Sequence, residues 1–227
     1  MSTAAWKAVL FDLDGTLIET APEIADAVND TLAHLGLAPV SQSLVDGWIG
    51  HGTGELLVKA LAYRQNASLE AVRLSPELAA IRSTFNSHYQ SRCGTRSQLY
   101  PGVPETLLAL REGGCRLAVV TNKEAHYTHI VLRAHGLLPL LDQVIAGDSL
   151  PTKKPDPAGV LHCLEQFGVA PEQALFVGDS SIDAATARNA GVPVWLLPYG
   201  YNMGQSVEDC QPDRVIDSVR ALLQERA

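Results

Sequence analysis

No stretch of this 227-residue sequence approaches the run of about 18 apolar residues that a membrane-spanning helix needs. Met1 to Val9 has no long apolar run behind a basic flank, so no secretion signal is read there. Cysteine is scarce. Cys93, Cys115, Cys163 and Cys210 form no CxxC pair, and their spacing matches no zinc pattern. Reduced thiols in a cytoplasmic protein are the expectation. Positive charge is also short, with 17 Lys and Arg against 25 Asp and Glu and a net charge of −8. That balance argues against non-specific binding to nucleic acid, but not against an anionic substrate, because a phosphate site depends on local charge. Internal repeats and low-complexity segments are absent as well.

What is present suits a folded domain: 46% hydrophobic and 19% charged residues. The length allows one large α/β domain, or a core that carries a smaller insert. Five short apolar runs recur, each ending in a small or polar residue. They are Ala8 to Phe11 before Asp12, Leu117 to Val120 before Thr121, and Val144 to Ala146 before Gly147-Asp148. Ala174 to Val177 before Gly178-Asp179 and Val194 to Leu197 before Pro198 complete the set. Runs this short and this apolar read as strands buried on both faces.

Helical spacing falls between the later runs, over Ala125 to His135, Ala158 to Phe167 and Ile182 to Ala190, with Gly136, Gly168 and Gly191 as stops. Strand then helix, repeated, predicts a parallel sheet, whose ligands bind at the carboxyl ends of the strands. Asp12, Thr121, Asp148 and Asp179 fall at those ends. The stretch from Glu19 to Arg96 breaks the rhythm and reads as helices. One carries Ile24, Val28 and Leu32, a second Leu56, Leu57 and Leu61, and a third Leu78, Ile81, Phe85 and Tyr89. Gly50 to Gly54 is a joint between them. The expected division is therefore a core of residues 1–18 and 97–227 and a helical cap of residues 19–96, placed as a lid over the sheet's carboxyl end.

The strongest chemical signal is Asp12-Leu13-Asp14-Gly15-Thr16. At a strand end residues i and i+2 point the same way, so Asp12 and Asp14 can face one site. One carboxylate can attack phosphorus and the other can protonate the leaving oxygen. Alone, the motif would read as an Asp-capped turn. Its place at the end of a buried first strand favours chemistry. An anionic nucleophile attacking an anionic ester needs cations, and magnesium suits carboxylate ligands. Asp179 is placed to bind metal, and Asp183, one helical turn on, to orient a metal-bound water or a lysine. The plain alternative is that Asp179 or Ser180 only caps the next helix. Lys154 can supply a second positive charge, its loop fixed by Pro155 and Pro157. Asp156 reads as a helix cap. Thr121 and Asn122 offer a hydroxyl and an amide to phosphate oxygens, while Lys123 is expected to be solvated, with help in binding substrate as the lesser alternative. His126, His129 and His135 make no HExxH pair, and Trp6, Trp48 and Trp195 are read as packing.

These clusters, in this order, resemble the haloacid dehalogenase (HAD) superfamily over essentially the whole chain. The resemblance implies a Rossmann-like core with an inserted helical cap. It implies Asp12 as nucleophile and magnesium ligand, and Asp14 as general acid and base that binds the metal through its backbone carbonyl. Asp179 becomes the third ligand, with Thr121 and Lys154 holding the phosphoryl group. Members that dehalogenate lack an aspartate at the position of Asp14, so its presence favours phosphoryl chemistry. Thr121-Asn122-Lys123, Lys154 to Pro157 and Tyr199 to Asn202 are similar to the phosphoglycolate phosphatase branch. So is Trp48 to Gly52, which implies that Gly50 and His51 lie beside the substrate. His51, Glu124 and Glu19 depart from that branch's pattern, and His51 and Glu124 bear on which ester is used. The expected activity is magnesium-dependent hydrolysis of a small phosphorylated metabolite, with 2-phosphoglycolate first, by a monomer or homodimer. Another small ester, pyrophosphate, a β-phosphoglucomutase-like phosphomutase and a non-catalytic binding protein remain as alternatives.

Overall fold

A computed structural model describes residues 6–224. The signal-peptide reading of Met1 to Val9 thus lies partly outside the described residues. The chain enters on β1 (Ala8–Phe11), turns sharply, and runs through the two-residue β2 (Ile18–Glu19). Five helices follow: α1 (Ala21–His34), α2 (Gln42–Asp46), α3 (Thr53–Gln65), α4 (Leu69–Arg73) and α5 (Leu78–Arg92). The chain returns on β3 (Gln98–Leu99). Then come α6 (Val103–Glu112), β4 (Arg116–Val120), α7 (Ala125–Ala134), β5 (Gln143–Ile145), α8 (Ala158–Phe167), β6 (Ala174–Gly178), α9 (Ser181–Ala190), β7 (Val194–Leu196) and β8 (Arg214–Val215).

Six of the strands form one parallel sheet in the order β5-β4-β1-β6-β7-β8. β1 lies inside the sheet, and all four of its residues are fully buried. Their alternation builds two cores. Val9 and Phe11 join Leu117, Val119, Leu175 and Val177 on one face. Ala8 and Leu10 join Ala118, Val120, Ala174 and Phe176 on the other. The second face is closed by Val160, Cys163 and Leu164 of α8 and by Ala184 and Ala187 of α9. The first is closed by Val103, Leu107 and Leu110 of α6 and by Val131 and Leu132 of α7. Both faces are covered, so the strands need no polar residues until their carboxyl ends. Each fully buried Leu, Val or Phe contributes about 1.5–3 kcal/mol.

The sheet is an α/β doubly wound one, and the strand order reverses beside β1 and β6. That is where a crevice opens at the carboxyl ends. β2 and β3 pair antiparallel, Ile18 with Leu99 and Glu19 with Gln98, and so tie the exit of the helical segment to its return. Within that segment Arg92 Nε and Nη2 donate to Asp30 at 2.8 and 3.1 Å, joining α5 to α1. Glu23, fully buried in α1, accepts the backbone N–H groups of Gly94, Arg96 and Ser97 at 2.9, 3.3 and 3.0 Å and fixes the way back. Among the described residues no helix is long and apolar enough to cross a membrane.

Candidate active site

Directly after β1 the backbone folds back on itself. Gly15 N–H donates to Ile18 C=O at 2.9 Å, and Leu17 and Ile18 both donate to Leu13 C=O. Gly15 has φ +87°, and a Cβ there would strike the Asp179 carboxylate. Glycine alone lets the turn pass so close to β6. The turn leaves Asp12 and Asp14 lining one cleft with Thr121, Asn122, Lys154, Asp179 and Gly50. Of the four strand-end residues, Asp12, Thr121 and Asp179 meet there and Asp148 does not. That residue is exposed, and its Oδ1 accepts the Ala125 N–H at 2.8 Å at the start of α7.

Lys154 is buried between two acids, its Nζ 2.7 Å from Asp12 Oδ1 and 2.6 Å from Asp183 Oδ1. Burial opposes its charge, but Asp12 and Asp183 outweigh burial and hold the ammonium above its ordinary range. Asp183 is fully committed. Its Oδ2 accepts Asp179 N–H and Ser180 N–H at 3.1 Å each and the Ser180 hydroxyl at 2.7 Å. Ser180 in turn caps α9 in a capping box with Asp183. The helix cap therefore belongs to Ser180, and Asp183 orients a lysine. Asp179 is free of capping. Its Oδ1 accepts from Thr16 Oγ1 at 2.7 Å and its Oδ2 from Tyr201 N–H at 2.5 Å.

Asp12, Asp179 and Asp183 each bring a carboxylate oxygen to within 4.8 Å of the others, all three buried. Among the described residues, the one cation paired with them is Lys154. Burial pushes the Asp12 carboxyl up to about 6, against the pull of Lys154 and with the help of Asp183 and Asp14. Burial, then Asp183 and Asp12, raise Asp179 well above the usual carboxylate range. Such a cluster carries excess negative charge that a divalent cation would neutralise. Asp183 has its oxygens spent, so Asp12 and Asp179 keep lone pairs for a metal. The donor set is all oxygen, as magnesium requires.

Lys123 corrects the sequence reading. It was expected in solvent, and it is 2% exposed. Its Nζ lies 2.9 Å from Asp14 Oδ1 and 3.2 Å from Oδ2, and 5.1 Å from the Tyr89 ring centroid. Burial opposes its charge, but Asp14 overcomes this and holds the lysine well above its usual range. Asp14 Oδ1 also accepts from Thr20 Oγ1 at 2.7 Å. Thr20 sits at the N-cap of α1 yet makes no cap bond. The N–H groups of Thr20 and Ala21 go instead to the Tyr201 hydroxyl at 3.2 and 3.1 Å. The sequence reading gave Thr20, Tyr89 and Tyr201 no role at the site, and gave Lys123 only a secondary one in binding substrate. Lys123 stands two places after Thr121, the i, i+2 spacing already used for Asp12 and Asp14, and that signal could have found it.

The helical segment closes the cleft through Ile24, Ile49, Gly52, Thr53 and Leu56. Asn122 Nδ2 donates to Gly50 C=O at 2.9 Å and to Lys154 C=O at 3.0 Å. Thr53 Oγ1 donates to Glu124 Oε1 at 2.8 Å. His51 does not line the cleft; its backbone C=O accepts from Lys153 Nζ at 2.7 Å. The cavity volume is only about 30 Å³, room for a few water molecules.

A parallel sheet of this order, with an Asp pair after its first strand and a Lys-Asp-Asp cluster beside it, defines a phosphoryl-transfer enzyme of the α/β class. Residues 9–197 match the family model of the haloacid dehalogenase-like hydrolases. A phosphoglycolate phosphatase of Nitrosospira multiformis is 42% identical over 94% of this chain and 92% of its own. That of Vibrio cholerae is 39% identical over 96% of both. The crystal structure of a predicted phosphoglycolate phosphatase from Haemophilus somnus 129PT superposes with a TM-score of 0.90. It is 35% identical and covers 98% of each chain. The chain belongs to the haloacid dehalogenase-like hydrolases, and within them it is a phosphatase.

Proposed function

We propose that the cleft hydrolyses 2-phosphoglycolate to glycolate and phosphate through an aspartyl-phosphate on Asp12. One observation carries the reading. Asp12 sits at the end of β1 with Lys154 at 2.7 Å on one oxygen, and Asp14 lines the same cleft. The phosphoglycolate phosphatases similar to this chain support the choice of ester.

In this reading a carboxylate oxygen of Asp12 attacks phosphorus and the ester P–O bond breaks. Asp14 passes a proton to the departing oxygen of glycolate. Water then attacks the phosphorus of the aspartyl-phosphate, Asp14 takes a proton from that water, and the Asp12 oxygen leaves as carboxylate. Thr121 and Asn122 hold phosphoryl oxygens, and Lys154 balances their charge while Asp183 keeps it in place. Asp12 and Asp179, with the backbone carbonyl of Asp14, hold magnesium. When bound, the ion offsets the repulsion between nucleophile and phosphate.

Residues 19–96 serve as the cap and residues 1–18 and 97–227 as the core. The contacts from Asn122 to Gly50 and from Thr53 to Glu124 support this, because they latch cap to core across a cavity too small for an ester. Opening admits substrate and closing excludes bulk water. His51, on the latch loop, sets the loop's path through its backbone and lies outside the cleft lining.

The reading is tested by phosphate release from a panel of small esters and pyrophosphate, with magnesium and with chelator. Metal-dependent turnover selective for 2-phosphoglycolate is expected, without a bisphosphate activator. A need for such an activator would mean a mutase. Asp14→Asn is expected to lose about 10²–10⁴-fold in kcat on alkyl esters, the usual worth of a general acid. On p-nitrophenyl phosphate, whose leaving group needs no proton, the loss should be far smaller. Equal losses on both would remove the acid role from Asp14.

A further inference from the structure

Two cations line the cleft among the described residues, Lys154 and Lys123, and they stand apart in function. Lys154 is gripped by Asp12 and Asp183, on the side where phosphorus must sit to be attacked. Lys123 is paired with Asp14 alone among carboxylates, at 2.9 Å, over the ring of Tyr89. Asp14 must reach the ester oxygen to give it a proton, so Lys123 flanks the leaving group. The cap lines the same cleft with the apolar Ile24, Ile49 and Leu56. Its Thr53 hydroxyl is already spent on Glu124.

We infer that Lys123 is the specificity-determining residue, the receptor for a carboxylate carried by the leaving group next to the ester carbon. The inference rests on the hydrolase reading above and deepens it. An acidic leaving group brings a negative charge into a cleft whose other cation is held between two acids. A buried anion without a counter-charge is costly, and Lys123 supplies that charge. The ammonium bridges Asp14 and the substrate carboxylate and so sets the leaving oxygen against the proton donor. A neutral ester of the same size fills the apolar cap wall but leaves Lys123 to Asp14, and gains nothing from it.

Non-hydrolysable phosphonates separate this role from catalysis, since binding them needs no proton from Asp14. Calorimetry with magnesium would compare 3-phosphonopropionate, which carries the carboxylate, with propylphosphonate, which does not. The wild type should bind the first at least about tenfold more tightly, the worth of one charge-assisted contact. Lys123→Met should bring the two to within about twofold, by loss of the acid's advantage alone. A wild-type ratio near one overturns the inference before any variant is made. So does an unchanged ratio in Lys123→Met, or in Lys123→Gln if the first variant does not fold by thermal melting. Discrimination in binding together with turnover of a different carboxylate-bearing ester would uphold Lys123 and overturn 2-phosphoglycolate as the substrate.

Discussion

Asp12→Asn is expected to lower kcat on every phosphate ester by roughly 10⁴-fold or more, the scale of losing a covalent nucleophile. The same change should leave the melting temperature unchanged or raise it. The reason lies in the charges around β1. Asp12 is buried with Asp179 and Asp183, and burial, then Asp183 and Asp14, push its carboxyl up to about 6 against the pull of Lys154. Asparagine keeps the shape and removes one of three crowded negative charges. Lys154 is not orphaned by the change, because Asp183 still holds it at 2.6 Å. Steady-state kinetics and a melting curve on one preparation check both halves. Turnover above trace contamination would refute Asp12 as the nucleophile. A fall in melting temperature would show that the Asp12–Lys154 pair supports the fold more than the repulsion opposes it.

The catalytic half of the sheet was legible because its physics is simple. A strand buried on both faces must be apolar until it reaches the ligand. The run from Ala8 to Phe11 matches β1 residue for residue, and Ala158 to Phe167 matches α8. Elements that depend on distant partners were not read. β2 and β3 are two residues each, too short for any period, and form only because the chain returns to pair Ile18 with Leu99. β8 is a two-residue edge strand. α2 and α4 are five-residue helices started by Ser41 and Ser68, with one buried residue apiece. α6 does have a spaced apolar face in Val103, Leu107 and Leu110 and was overlooked.

The site divides in the same way. Asp12, Asp14, Thr121, Asn122, Lys154 and Asp179 announce themselves by standing at strand ends or in a proline-fixed loop. Lys123 does not, because a lysine beside a strand end is normally solvated. Its burial follows from Asp14, itself held by Thr20, and from Tyr89, which converge on it from two separate parts of the chain. The i, i+2 spacing from Thr121 aims Lys123 at the site, but it does not show which partners bury it there. His51 is the reverse case: its neighbours pointed to the substrate, while the folded loop uses its carbonyl.

Asp183→Ala should damage stability and catalysis together, which sets it apart from Asp12→Asn. The Asp183 carboxylate is fully buried and accepts from Lys154, from the N–H groups of Asp179 and Ser180, and from the Ser180 hydroxyl. Removing it leaves the Asp179 and Ser180 donors without that acceptor and Lys154 with one acid instead of two, and breaking a buried charge network from one side costs about 3–5 kcal/mol. For a chain of this length that is a fall of roughly 10 °C in melting temperature. Lys154 would remain paired with Asp12 alone and swing toward it, drawing the nucleophile's charge away from phosphorus. A loss of about 10²–10³-fold in kcat is expected, comparable with removal of one electrostatic stabiliser. Adding Lys154→Met to Asp183→Ala should then cost little more activity, because the two residues act as one unit. If the two losses instead multiply, Asp183 works on the site by a route other than Lys154, through the Asp179 and Ser180 amides that it also holds.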